Sequence, residues 1–162
     1  MVTIRPATRD DAEALWSLLE PVIREGETYA FDRDMSRDRL LQKWLHHRAF
    51  IAEDDDGGAV GTYFLKRNHG GGGGHVANCG YVTDPSARGQ GVARLMAEHS
   101  FEEARRQGFK AMQYNCVVST NTGALRLWHL LGFRIVGTIP KGFEHPTRGL
   151  VDAYVMYRWL GD

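Results

Sequence analysis

One stretch of this sequence suits phosphate: Tyr81-Val82-Thr83-Asp84-Pro85-Ser86-Ala87-Arg88-Gly89-Gln90-Gly91-Val92-Ala93-Arg94. An apolar, strand-like run stops at Pro85, and helical spacing resumes after Gly91. Gly89, Gly91 and Ala93 leave main-chain N–H groups uncovered. The first N–H groups of a helix lack intrahelical acceptors and carry the positive end of its dipole, so a diphosphate is a matching ligand. Arg88 and Arg94 add charge on the same side. A tight strand-to-helix turn also uses Gly-x-Gly for backbone reasons alone, so the spacing by itself leaves both readings open. The turn is not a dinucleotide fingerprint, because it lies mid-chain and lacks the third glycine and a downstream acid on a following strand. The five consecutive glycines at 70–74 are read as a flexible connection, since no Lys-Ser/Thr and no helix start follow them.

Two further groups stand out. Asn78 and Asn115 are amides inside otherwise apolar runs expected to be central strands. A buried amide without a hydrogen bond costs a few kcal/mol, so each is either satisfied structurally, as at a strand bulge, or positioned to hold a ligand. The two cysteines, Cys79 and Cys116, also lie in strand-like runs and have no adjacent histidine. They read as free thiols of a cytosolic protein rather than as nucleophiles. No CxxC or HxxxH spacing supports a metal site. His75, His129 and His145 are candidates for proton relay or for capping.

The elements that must position these groups follow from periodicity. A strand is expected at 2–5. Thr8 and Asp11 form a capping-box start for a helix with Leu15, Leu18, Leu19, Val22 and Ile23 on one face, ending near Gly26. Ser36 caps a second helix that buries Leu40, Leu41, Trp44 and Leu45. Strands at 50–53 and 59–65 form a hairpin through Asp54-Asp55-Asp56-Gly57-Gly58. A strand at 76–82, a helix from Gly91 to Gln107 and a strand at 112–118 come next. A helix capped by Asn121 is closed by Gly132, and strands at 134–138 and 151–158 are joined by a polar loop with Pro140 and Pro146. The expected fold class is α/β, a mixed sheet of about seven strands with helices on both faces.

Composition narrows the field. At 162 residues the chain suits one domain, 1–162, able to bury roughly 70% of its unfolded surface. Twenty basic and twenty acidic residues balance, which argues against nucleic-acid binding by counterion release and against a polybasic membrane anchor. No apolar run approaches the about 20 residues of a membrane span, and no secretory signal is evident. A cytoplasmic location is expected.

The motif Arg88-Gly89-Gln90-Gly91-Val92-Ala93 resembles the Arg/Gln-x-x-Gly-x-Gly/Ala signature of the GNAT superfamily of acyl-CoA N-acyltransferases. Asn121, Ala124, Leu127, Gly132 and Phe133 resemble its downstream Asn-x-x-Ala-x-x-Leu-Tyr…Gly-Phe helix. The resemblance implies acetyl-CoA as cosubstrate, no metal, and two parallel strands that splay apart around the pantetheine arm. It assigns main-chain groups of Tyr81, Val82 and Thr83 to the pantetheine and thioester. It assigns the turn Arg88, Gly89, Gln90, Gly91, Val92 and Ala93, with Arg94, to the pyrophosphate, and Asn121 to the pantetheine side. Dimers are common in the superfamily, so a homodimer is expected by analogy. The family's frequent tyrosine acid is Trp128 here, and an indole cannot protonate a thiolate.

His75-Val76-Ala77-Asn78-Cys79-Gly80-Tyr81, with Tyr114-Asn115 and Ser119-Thr120-Asn121, further resembles the subgroup of azetidine-2-carboxylate acetyltransferases. That likeness makes Asn78 and Asn115 acceptor-facing catalytic residues; the alternative is that the splay itself satisfies them. Glu27, Tyr29 and Phe31 are expected to line the acceptor entrance. The implied reaction is direct attack by a neutral amine of a small molecule, an amino acid or analogue, with the oxyanion on the Val82 amide. A phosphinothricin-like acceptor is a runner-up. Other readings left open are acetylation of protein N-termini or lysines, and a non-catalytic acyl-CoA-binding module.

Overall fold

A computed structural model describes residues 1–161. Seven strands form one sheet in the order β1-β2-β3-β4-β5-β7-β6. The first half is β1 (Thr3–Pro6), α1 (Ala12–Glu25), α2 (Arg37–His46), β2 (Arg48–Glu53), β3 (Ala59–Arg67) and β4 (Val76–Thr83). The second half is α3 (Val92–Arg106), β5 (Ala111–Val118), α4 (Thr122–Leu130), β6 (Arg134–His145) and β7 (Gly149–Trp159). The helix starts follow the sequence. Thr8 and Asp11 complete a capping box, but on a 3-10 turn, Arg9–Asp11, that leads into α1, whose own N-cap Asp11 makes no side-chain cap bond; Ser36 accepts from the Arg39 amide, and Asn121 accepts from the Ala124 amide.

The helices cover both faces. α1 buries Leu15, Leu18, Leu19, Val22 and Ile23, each worth roughly 1.5–3 kcal/mol when taken from water. They pack with Leu40, Trp44, Ile51, Phe64 and Val82. On the opposite face, Met96, Ala97 and Phe101 of α3 join Trp128 of α4 over Tyr63, Cys79 and Tyr114. The five-glycine run holds a short 3-10 turn at Gly71–Gly73.

The C-terminal hairpin departs from expectation. β6 and β7 are longer than the sequence pattern indicates, and Pro140 lies inside β6 rather than in a connecting loop. β6 is at the edge of the sheet, and its register with β7 shifts between Ile139 and Phe143. An edge strand at a bulge is where a residue without an N–H fits a ladder.

The feature that shapes the site is the seam between β4 and β5. These strands are parallel, but only Val76 with Ala111 and Ala77 with Met112 are paired. Beyond Ala77 they separate. A register shift against β7 between Tyr114 and Val117 marks a bulge in β5, and bulged strands bend.

Candidate active site

A cleft of about 750 Å³ opens at this seam, walled by β4 and β5, the segment after α1, the end of α2, the start of α4 and the β6–β7 turn. Asn78 is the first β4 residue past the paired stretch. Its side chain, 8% exposed, donates from Nδ2 to the Gln113 carbonyl at 2.9 Å. It therefore bridges the strands where the ladder stops. Asn115 also lines the cleft, but the expected buried amide is an exposed one. Asn115 sits in the β5 bulge, accepts from Gln113 Nε2 at 3.0 Å and donates to Asn68 Oδ1 at 2.8 Å.

The register decides which main-chain groups face the gap. The Asp84 amide donates to the Val60 carbonyl, and the Asn68 amide to the Val76 carbonyl. These bracket the β3–β4 ladder, in which Val82 is opposite Thr62 and Gly80 opposite Phe64. Hydrogen-bonded pairs recur every second residue in an antiparallel ladder, so the even-numbered β4 residues spend their N–H groups on β3. The Val82 amide is thereby committed to Thr62 and is not the oxyanion donor that the sequence suggested. Its side chain is buried in the core under α1. The amides turned toward β5 are those of Cys79, Tyr81 and Thr83. The Tyr81 carbonyl is already taken, accepting from the Tyr29 hydroxyl at 3.0 Å.

At the start of α3, Gly89 and Gly91 have φ of 78° and 80°, a left-handed backbone that favours glycine. A Cβ at either would meet nothing within 4 Å, so the turn is bare on its outer side. Among the described residues the main-chain N–H groups of Gly89, Gly91, Val92, Ala93 and Arg94 have no acceptor, whereas those of Arg88 and Gln90 are satisfied by Pro85 and Ala87. Of the two arginines, Arg88 lines the cleft. Arg94 does not, because its guanidinium pairs with Glu98 at 2.9 Å. Asn121 spends its Oδ1 on the α4 cap, 3.3 Å from the Ala124 amide, and lines the cleft.

Glu27, Tyr29 and Phe31 line the acceptor side. Tyr29 reaches the sheet because Gly80 has no side chain: a Cβ there would lie 2.7 Å from the Tyr29 hydroxyl. Trp44, His47, Phe64, Lys43 and Lys66 share this wall and carry no motif that sequence reading could detect. On the other wall Trp128, 7% exposed, packs on Tyr81 and Tyr114 with ring centroids 5.2 and 4.7 Å away. The Tyr114 hydroxyl donates to that of Tyr81 at 3.0 Å, which meets Ser100 Oγ at 2.7 Å. Burial holds both phenols above their ordinary range.

Burial also pushes the Cys79 thiol up to about 12 and raises that of Cys116, leaving neither as a thiolate at neutral pH. Of His75, His129 and His145, only His145 faces the cleft, with Nδ1 accepting from the Thr147 amide at 3.2 Å. No cluster able to hold a metal ion occurs among the described residues.

Comparison with known proteins places the chain in a family. Residues 13–133 match the Acetyltransferase (GNAT) family. A GCN5-related N-acetyltransferase from Kribbella flavida is 37% identical, with a TM-score of 0.93 over 98% of this chain and 97% of that one. An N-acetyltransferase, aca1, from Schizosaccharomyces pombe is 38% identical over 86 residues, 50% of this chain and 39% of that protein. The chain thus spans about two fifths of that curated relative. A phosphinothricin acetyltransferase from Sinorhizobium meliloti, solved with AcCoA, shares the fold at 17% identity, with a TM-score of 0.87 over 99% of this chain and 89% of that one.

Proposed function

The chain belongs to the GNAT acetyltransferase family, and from that premise we propose that it transfers acetyl from acetyl-CoA to the primary or secondary amine of a small molecule, an amino acid or amino-acid analogue. The observation that carries the proposal is the bare turn at Gly89–Arg94. Five unpaired amides at the start of a helix fit a diphosphate, since each N–H to an anionic oxygen is a charge-assisted bond. Arg88 on the cleft wall supplies a cation to the same end. Acetyl-CoA, when bound there, supplies an activated acyl thioester.

This chain's residues do the rest. The Cys79, Tyr81 and Thr83 amides, turned into the gap, are donors for a pantetheine carbonyl or for an oxygen that gains charge. Asn78 holds β4 to β5 at the head of the gap. Asn121 stands at the opposite wall with its Nδ2 free for the pantetheine side. Tyr29, Phe31, Trp44 and Phe64 surround the acceptor side with apolar surface. Such surroundings disfavour an ammonium and favour the neutral amine that can attack. Neither cysteine is poised for a covalent route, which supports direct transfer. The reading takes residues 1–162 as one N-acetyltransferase domain in a cytoplasmic setting, which its two free thiols suit. It keeps the azetidine-2-carboxylate-like acceptors as the first compounds to try, with Asn78 and Asn115 beside the amine. The test is thiol release from acetyl-CoA across a panel of proline analogues, methionine sulfoximine, aminoglycosides and polyamines. Release with none of them, alongside tight acetyl-CoA binding, would leave a binding module instead.

A further inference from the structure

Two lysines stand on the acceptor side of the cleft, which Glu25 and Glu27 also line, without an ion-pair partner among the described residues. Lys43 Nζ lies 4.6 Å from the Phe31 ring centroid and Lys66 Nζ lies 5.9 Å from that of Phe64. Both lysines line the cleft. Neither has a carboxylate within ion-pair distance among the described residues, whereas Arg5, Arg37, Arg48, Arg94, Arg105 and Arg106 all do. His47 lines the same cleft, its ring 5.5 Å from Phe64. Burial, together with the charges of Lys66, His46 and Lys43, holds its imidazole below the ordinary range.

Lys66 is directly opposite Asn78 in the β3–β4 register. Opposed residues of an antiparallel pair share a face, about 5 Å apart. Lys66 therefore rises beside the point where β4 and β5 part. An acceptor whose nitrogen enters the gap next to Asn78 has Lys66 on the adjoining strand and Lys43 on the wall of the same cleft.

We propose that Lys43 and Lys66, with His47, form an anion subsite that binds the carboxylate of the acceptor, so that the substrate is an amino acid with a free carboxylate rather than a polyamine, an aminoglycoside or a peptide amine. This rests on the acetyl-transfer reading and deepens it. Polyamines and aminoglycosides would place like charges against the lysines, and a peptide N-terminus has no carboxylate on the carbon beside its amine.

The test measures binding as well as turnover. The CoA complex is titrated with L-proline, L-methionine and L-phenylalanine, each against its primary amide, by calorimetry in the wild type, Lys66→Met, Lys43→Met/Lys66→Met and Lys66→Arg. The expected result is that at least one acid binds about tenfold or more tighter than its amide. That preference should disappear in the double variant and return in Lys66→Arg, with CoA affinity unchanged throughout. Equal binding of acids and amides, or an acid preference that survives the double variant, overturns the subsite, even if the amides are acetylated. The expected preference without acetylation of any acid leaves the subsite standing and overturns acetyl transfer instead.

Discussion

Gly91→Ala separates the backbone role of the α3 turn from its role in binding. Gly91 has φ of 80° and open space where a Cβ would stand. Alanine there clashes with nothing in the protein but carries left-handed strain of about 1–2 kcal/mol. For a chain of this length that lowers Tm by roughly 2–8 °C. Gly57, in the β2–β3 turn, has φ of 78° and equally open surroundings, so Gly57→Ala carries the same strain far from the cleft and is the control. What differs is the place of the methyl group, which in Gly91→Ala projects into the open space over a turn whose amides have no other acceptor, where a diphosphate would approach. Blocking two charge-assisted bonds, at about 1.5 kcal/mol each, removes about 3 kcal/mol of binding, or roughly 100-fold in Kd. Thermal melts and calorimetry of acetyl-CoA binding measure both quantities. Matched Tm losses with a large Kd change in Gly91→Ala alone is the expected pattern. Equal Kd in the two variants, within about threefold, would refute the claim that these amides hold phosphate.

Other expectations follow from single contacts. Asn78→Ala leaves the Gln113 carbonyl unpaired in a buried seam, at about 1–3 kcal/mol. Turnover should fall at least about tenfold while acetyl-CoA affinity stays within about threefold; unchanged turnover would make Asn78 a strut only. Arg94→Ala should leave coenzyme affinity nearly unchanged, because Arg94 is spent on Glu98, whereas Arg88→Ala should weaken it severalfold. Cys79→Ala should retain activity, and native Cys79 should resist iodoacetamide at pH 8, since its thiol is pushed up to about 12. The sign for stability is that the folded state keeps this proton longer than the unfolded one. Its contribution is full below the ordinary thiol range and declines as pH rises toward about 12, which alkaline melts of the wild type and Cys79→Ala compare.

Much of the frame was legible because local chemistry and tertiary structure agree. Thr8, Ser36 and Asn121 start elements where their side chains can reach free amides, and the element order follows from periodicity alone. What escaped depends on register and long-range approach. That the Val82 amide is occupied follows from which β4 residues oppose β3, a parity the sequence does not carry. Asn115 is exposed because a bulge turns it out of the sheet. β6 continues through Pro140 because it is an edge strand, which is a property of the whole sheet. Lys43 and Lys66 lie on different elements with no spacing between them to read, and only the packing of α2 over β3 brings their ammonium groups to one wall.

The most direct test of the central claim is a crystal structure with coenzyme A. Diphosphate oxygens are expected about 2.9 Å from the amide nitrogens of residues in the Gly89–Arg94 turn, with the pantetheine arm running along the Cys79, Tyr81 and Thr83 amides. A diphosphate bound away from that turn, or a pantetheine outside the β4–β5 gap, would contradict it.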